Sequence, residues 1–176
     1  MASNDERRTS IGVISDTHGH LDPVVLELFG DVDHIIHAGD VVDGETLTAL
    51  EGVAPVTVVP GNLDTGKLAR LPREVAGEAG GVLFVVGHKR KRLLKRLTAG
   101  RIDGLPSGRQ PDLVVFGHDH IPAAEWVDGT LYLNPGTAAS PHEEDDDPTV
   151  ALVKVEPTGL SVTFVPLVRS EEALTG

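Results

Sequence analysis

Seven side chains suited to holding metal ions stand in five short segments. They are Asp16 and His18 in SDTHGH, Asp40 in HAGD, Asn62 in PGNLD, His88 in VGHKR, and His118 and His120 in GHDH. Neutral imidazole and carboxylate are the ordinary ligands of Mn, Fe, Zn and related ions. Seven donors exceed what one ion of four to six ligands needs once water is included. A carboxylate can bridge two ions, and two ions roughly 3.5–4 Å apart form a common arrangement for hydrolysing phosphate esters. Asp-x-His and His-x-His put alternate residues on one side of an extended segment, so both members of each pair can face one site. Taken singly, each piece is ordinary turn chemistry; the repetition of residue type and position carries the inference.

That position is the end of an apolar run. IGVI (11–14), HIIHA (34–38), VTVV (56–59), VLFVV (82–86), LVVF (113–116) and TLYL (130–133) are each followed at once by one of these segments or by Asn134-Pro135-Gly136. TVALVKV (149–155) and LSVTFVPLV (160–168) complete the set. Most of the runs are continuous rather than alternating, which suits strands covered on both faces. Open α/β sheets bind ligands outside the carboxyl ends of their strands. Gly39, Gly61, Gly87 and Gly117 each precede a candidate ligand, allowing a tight turn and close backbone approach.

Helical segments lie between the early runs. DPVVLELFG offers Asp22 as N-cap, Pro23 at the first helical position and Gly30 as a stop. DGETLTALEG and KRKRLLKRLTAG are similar. The first two-thirds therefore predict β-α-β-α-β, then strand, helix, strand. The last third predicts consecutive strands with Gly turns such as VDGT. No repeat or linker divides the chain, and residues 1–176 are expected to form a single domain, with 1–9 a flexible N-terminus.

PGNLDTGKL has an overlapping resemblance to a phosphate-binding P-loop, since Gly61, four residues, Gly66 and Lys67 fit G-x-x-x-x-G-K. A P-loop needs Ser or Thr next, for Mg²⁺. Leu68 stands there, and Gly-Asn-x-Asp is needed by the metal set.

Composition narrows the classes further. Forty per cent of the residues are apolar and 3% aromatic, so a globular core must come from Val, Leu, Ile and Ala. The absence of cysteine excludes a disulfide scaffold, a thiolate metal site and a cysteine nucleophile. No apolar run approaches the roughly 18 residues of a membrane span, and MASNDERRTS lacks the apolar stretch of a secretory signal. A cytoplasmic location with no membrane contact is expected. Twenty-seven acids against 15 bases give a net charge of −12, which argues against a general nucleic-acid binder. Two sources of that acidity stay open: adaptation to high salt, or an ordinary acidic protein. The acidic loop HEEDDDP (142–148) is the segment expected to be mobile.

In order, Asp16-x-His18, Gly39-Asp40, Gly61-Asn62-x-Asp64, a lone His88 and Gly117-His118-x-His120 resemble the signature of the calcineurin-like metallophosphoesterases. The compact chain, GNLD in place of a GNHE-type element, and the NPG loop are most similar to the small single-domain phosphodiesterase branch. The likeness runs from about Ile11 to Val168. It implies an α/β fold, a four-layer α/β/β/α sandwich, with two divalent ions: Mn²⁺ foremost, with Ni²⁺, Zn²⁺, Fe²⁺ or Mg²⁺ as alternatives. By the same resemblance Asp16, His18 and His120 hold the first ion, Asn62, His88 and His118 the second, and Asp40 bridges them. A hydroxide held between the ions would attack phosphorus in line. The implied substrate is a small phosphate ester, a diester before a monoester, with nucleic acid entering only as a substrate. A homodimer is left open.

Two departures from the family pattern matter. Many relatives carry a His after the Asn, a candidate general acid; Leu63 stands here and cannot transfer a proton. Protonation of the leaving group then falls to Asp64 or metal-bound water, or the substrate has a good leaving group; alternatively, Asp64 only holds its loop. After His88, relatives often carry Gly-His, where this chain has Lys89-Arg90. A rival is a non-catalytic metal-binding scaffold, since the retromer subunit of the same fold is similar; all seven filled ligand positions favour an enzyme.

Of the remaining histidines, His34 and His37 lie in a strand run and are expected to be satisfied core or edge groups. His20 could touch substrate, and His142 is expected to be solvated. Asp119 is expected to point away from the ligand pair or to support an imidazole. In KRKRLLKR (89–96) the leucines, with Leu97, would face the core and the bases solvent, though the block could also draw an anionic substrate inward.

Overall fold

A computed structural model describes residues 9–139 and 147–167. The acidic loop with its His142, and the N-terminal arm, lie outside the described residues apart from Thr9, Asp147 and Pro148.

Among the described residues ten strands form two sheets. The first contains β1 (Ser10–Ile14), β2 (His34–His37), β3 (Val56–Val58), β9 (Thr149–Glu156) and β10 (Gly159–Pro166), in the order β10-β9-β1-β2-β3. The second contains β4 (Glu74–Ala79), β5 (Val82–Gly87), β6 (Leu113–Val115), β7 (Ala123–Val127) and β8 (Thr130–Asn134), in the order β4-β5-β6-β8-β7. Each sheet has a parallel trio, β1-β2-β3 in one, flanked on one side by antiparallel β9 and β10, and β5-β6-β8 in the other, flanked on both sides by antiparallel β4 and β7. Parallel trios align the strands' carboxyl ends, which brings the loops after β1, β2, β3, β5 and β6 toward one edge.

The layers follow from which side each residue faces. Ile11, Val13 and Ile36 from the first sheet pack with Phe84, Val86, Leu113 and Leu133 from the second, forming the core between the sheets. Ile14 and Ile35 face the other way, onto Val25 and Phe29 at α1 (Pro23–Leu28) and Leu50 of α2 (Gly44–Glu51). Val85 and Val114 pack against Leu93 of α3 (Arg90–Thr98). The result is the predicted α/β/β/α sandwich. Burial on both faces explains why the strands read as unbroken apolar runs. Each fully buried Phe or Leu contributes about 1.5–3 kcal/mol relative to exposure.

Local chemistry sets the helix ends. The Asp22 carboxylate accepts from Val24 N–H with Pro23 opening α1, and Asp43 caps α2 by accepting from Thr46 N–H at 2.7 Å. Leu93 of α3 is buried and Leu94 and Leu97 are half-buried, while Lys91, Arg92 and Lys95 face solvent. Among the described residues no helix is long and apolar enough to cross a membrane.

Two strands were not anticipated, β4 and β7, the two edges of the second sheet. EVAGEA and AAEWV are paired on one side only. All of β7 is exposed, and only Glu74 and Ala79 of β4 are buried, so neither strand carries a buried apolar run.

Candidate metal centre

Asp16 lies two residues beyond β1 and is fully buried. Its Oδ2 accepts from Ser15 Oγ at 2.5 Å and from His118 N–H at 3.1 Å. Its Oδ1 takes no hydrogen bond. Around that oxygen lie His120 Nε2 at 3.3 Å, His18 Nε2 at 3.6 Å and His88 Nε2 at 4.0 Å. Asp40, after β2, sends Oδ2 to within 3.3 Å of His88 Nε2 and 3.8 Å of His18 Nε2, while its Oδ1 accepts from Leu63 N–H at 2.7 Å. Asn62 Oδ1 is 3.1 Å from His88 Nε2, and the His118 ring stands 5.1 Å from that of His88. The fold thus gathers all seven sequence-predicted side chains at one edge.

Among the described residues two groups are tight enough to cage an ion, Asp16-His18-His120 and Asp16-Asp40-His88. Asp16 is common to both, whereas the resemblance gave the shared role to Asp40. Asp40 nevertheless reaches imidazoles on both sides. Asn62 and His118 are exposed and stand at the rim.

The loops are tied together by backbone bonds. Asp16 N–H donates to Gly39 C=O at 2.9 Å, His18 N–H to Asp40 C=O and Gly19 N–H to Val41 C=O, each at 3.0 Å. Asp16, His18, Asp40, His118 and His120 all have positive φ, between 49° and 76°. Non-glycine residues rarely adopt this conformation, which persists only where the surroundings enforce it and which concentrates at functional sites. Glycine is required at two contacts. A Cβ on Gly61 would lie 2.0 Å from Asp40 Oδ1, and one on Gly117 2.0 Å from Ser15 Oγ.

Supporting groups fix the donors. His88 Nδ1 is 2.8 Å from Ala38 C=O, so it carries the proton and leaves Nε2 facing the cage. His37 accepts from Gly39 N–H at Nδ1 and donates from Nε2 to Thr17 Oγ1 at 3.1 Å, bracing the first two loops from below. Burial pushes its pKa down to about 4, against the nearby carboxylates that raise it. Burial alone would raise Asp40, but bonds from His88 and Leu63 N–H hold it below the usual carboxylate range. Conversely, burial alone would lower His88, but its bond to Asp40 and the charges of Asp16 and Asp40 raise it. His34 bonds Thr57 Oγ1 at 2.8 Å and packs on Phe84; burial lowers its pKa. His20 and Asp119 are exposed.

Asp64 has both carboxylate oxygens engaged by backbone amides. It is buried, its Oδ1 accepts from Val42 N–H at 2.7 Å and its Oδ2 from Gly61 N–H at 2.8 Å. Both oxygens therefore fasten loops, so the geometry departs from the catalytic assignment and favours the loop-holding alternative. Two supporting residues were not singled out from sequence. Ser15 orients Asp16. Buried Asn134 donates to Gly117 C=O at 3.3 Å and accepts from Gly136 N–H at 3.0 Å, fixing the loop that carries His118 and His120. The NPG at a strand end was the available signal for Asn134; nothing marked Ser15.

A two-sheet α/β/β/α sandwich with paired carboxylate–imidazole cages at its strand ends defines a class of metal-dependent phosphoesterases. Residues 10–158 match the calcineurin-like phosphoesterase superfamily domain, and the chain belongs to that family. It is 31% identical over 169 residues to a protein of Methanothermobacter thermautotrophicus named "Probable metallophosphoesterase", covering 91% of this chain and 96% of that one. It is 32% identical over 143 residues to the phosphodiesterase YfcE of Escherichia coli K12, covering 72% and 78%. Among solved structures, one described as a novel archaeal phosphodiesterase superposes with a TM-score of 0.69 at 26% identity, covering 89% of this chain and all of that one. Vacuolar Protein Sorting 29 of Cryptosporidium parvum superposes with a TM-score of 0.69 at 18% identity, covering 92% and 99%, and shares the fold.

Proposed function

We propose that this protein is a dimetal phosphodiesterase that cleaves small phosphate diesters by in-line attack of water on phosphorus. The observation that carries the proposal is Asp16 Oδ1, a buried carboxylate oxygen with no hydrogen bond and three imidazole nitrogens within 4.0 Å. Such an oxygen is costly unless a cation completes it. The donor set fits borderline divalent ions, with Mn²⁺ the first choice.

Asp16, His18 and His120 would hold one ion, and Asn62, His88 and His118 the other, with Asp16 and Asp40 both in reach of the two. When bound, the ions would lower the pKa of a water and neutralise charge developing on the phosphoryl oxygens. The chain's own residues do the positioning. His88 is aimed by Ala38 C=O, Asp16 by Ser15 Oγ and His118 N–H, and Asp40 by Leu63 N–H. Leu63, half exposed at the rim, carries no group that can transfer a proton, so the leaving group draws its proton from water. Esters with acidic leaving groups are then favoured. The diester preference is supported by the relatives named phosphodiesterases.

The test is hydrolysis of bis-p-nitrophenyl phosphate by metal-stripped protein given Mn²⁺, Ni²⁺, Zn²⁺ or Mg²⁺, with Asp40→Asn as control. Metal-dependent turnover lost in Asp40→Asn is expected. Folded, metal-loaded protein without turnover on this diester or on p-nitrophenyl phosphate would overturn the proposal and favour a scaffold.

A further inference from the structure

We infer that Arg73 and Lys89 form a second anion subsite beside the cation cages, so that the preferred substrates are phosphodiesters carrying a further anionic group, such as a terminal phosphate, on one arm. This rests on the phosphodiesterase proposal above. A cavity of about 210 Å³ opens directly off the candidate ligands Asn62 and His88, and its far wall includes Arg73, Glu74, Lys89 and Arg92. Drug-sized ligands occupy about 300–1,000 Å³, so this cavity admits one arm of a substrate rather than the whole.

Its charge is opposite to that of the chain. The molecule carries −12 overall, yet three cations and one carboxylate line this space. The carboxylate is already engaged: buried Glu74 is paired with Arg92 and, at 3.7 Å, with Arg96. Among the described residues neither Arg73 nor Lys89 has an ion-pair partner. The positive charge left facing the cavity is theirs.

The fold places those two cations on either side of His88. In the β4–β5 ladder Glu74 pairs with Gly87, which sets Arg73 across from His88. A Cβ on Gly87 would lie 3.3 Å from Arg73 C=O, so these backbones run close. Lys89 follows His88 directly and stands at the N-cap of α3 with no side-chain cap bond, adding the helix's unpaired amides to the positive field. An anion in the cavity would meet guanidinium, ammonium and helix terminus while its diester phosphorus lay at the cages. Lys89 stands where the family pattern often has Gly.

Two probes differing in one phosphate test this: thymidine 5′-(p-nitrophenyl phosphate) and the same compound with a 3′-phosphate. For the Mn²⁺-loaded protein, kcat/KM is expected to be about tenfold higher with the 3′-phosphate, a charge-assisted contact of ordinary strength. In Arg73→Gln/Lys89→Gln that ratio should fall close to one, with the singles intermediate. Calorimetry with thymidine 3′,5′-bisphosphate against thymidine 5′-monophosphate gives the same comparison without turnover. Equal kcat/KM for the two esters, or a preference that survives in the folded double variant, overturns the subsite. If neither ester nor bis-p-nitrophenyl phosphate is cleaved, the phosphodiesterase proposal fails, and the calorimetric ratio decides the subsite alone: tighter bisphosphate binding lost in the double variant upholds it, and equal binding overturns it.

Discussion

Asp16 Oδ1 lies 3.3 Å from His120 Nε2 and 4.0 Å from His88 Nε2, while Asp16 Oδ2 is held by Ser15 Oγ and His118 N–H. One carboxylate is therefore split between two tasks: one oxygen fixes loops, and the other is presented to both candidate cages. Ion binding should consequently depend on Asp16 at both positions at once. Calorimetry is expected to show two Mn²⁺ per chain in the native protein and weakened binding at both in Asp16→Asn. Native protein should gain about 2.7 kcal/mol of stability for each ion bound at a metal concentration one hundred times Kd. Retention of one full-affinity site in Asp16→Asn would show that Asp40, not Asp16, is the shared ligand.

His37 should make the metal-free fold sensitive to mild acid. Its neutral ring accepts from Gly39 N–H and donates to Thr17 Oγ1, and its pKa is about 4 in the folded chain against 6.5 for an unburied histidine. The folded value is depressed, so the unfolded chain binds the proton more readily. Stability is therefore complete above about pH 6.5 and is lost as pH falls toward 4. At 1.36 kcal/mol per unit the loss approaches about 3 kcal/mol. Denaturant melts across this range should show it in metal-free protein. His37→Gln should be less stable at pH 7 but flatter with pH. An unchanged slope in that variant would assign the acid sensitivity to other groups.

How legible this molecule was in its sequence depended on the job of each residue. Buried central strands announced themselves because both faces needed apolar side chains, and the ligands because chemistry restricts them to His, Asp and Asn. Edge strands β4 and β7 were invisible, since one-sided pairing places little demand on EVAGEA or AAEWV. Asp64 illustrates the deeper limit. Sequence spacing put a carboxylate in the loop that carries Asn62, but only coordinates show both oxygens occupied by Val42 and Gly61 amides. Ser15 and the left-handed backbone of five ligand residues were likewise hidden, because a short hydroxyl contact and a φ angle leave no periodicity behind.

Asp64→Asn separates the clamp from an acid. An amide can still accept at one oxygen but turns an N–H₂ toward the other amide, leaving a buried donor unpaired. A stability loss of about 1–3 kcal/mol is expected. Because the loop carries Asn62 and Leu63, activity should also fall, by a similar factor for every ester. A rate loss that grows with leaving-group pKa, read across a series of aryl methyl phosphates, would restore Asp64 as the proton donor.

Leu63→His should give the site the proton donor it lacks. Leu63 is 51% exposed, so the substitution removes little buried surface and leaves the melting point near that of the native protein. Its backbone N–H still binds Asp40 Oδ1, which keeps the Cβ at the rim of the cages. General acid catalysis contributes about 10²–10⁴-fold when the donor is well placed. A graft without its evolved surroundings should reach the lower end of that range. The gain should be confined to esters with poor leaving groups, because p-nitrophenolate departs without protonation. A pH–rate profile should acquire a new descending limb near the histidine pKa for the poor leaving groups alone. Equal acceleration of good and poor leaving groups would mean that the imidazole acts by binding substrate, and that solvent already protonates the leaving group efficiently.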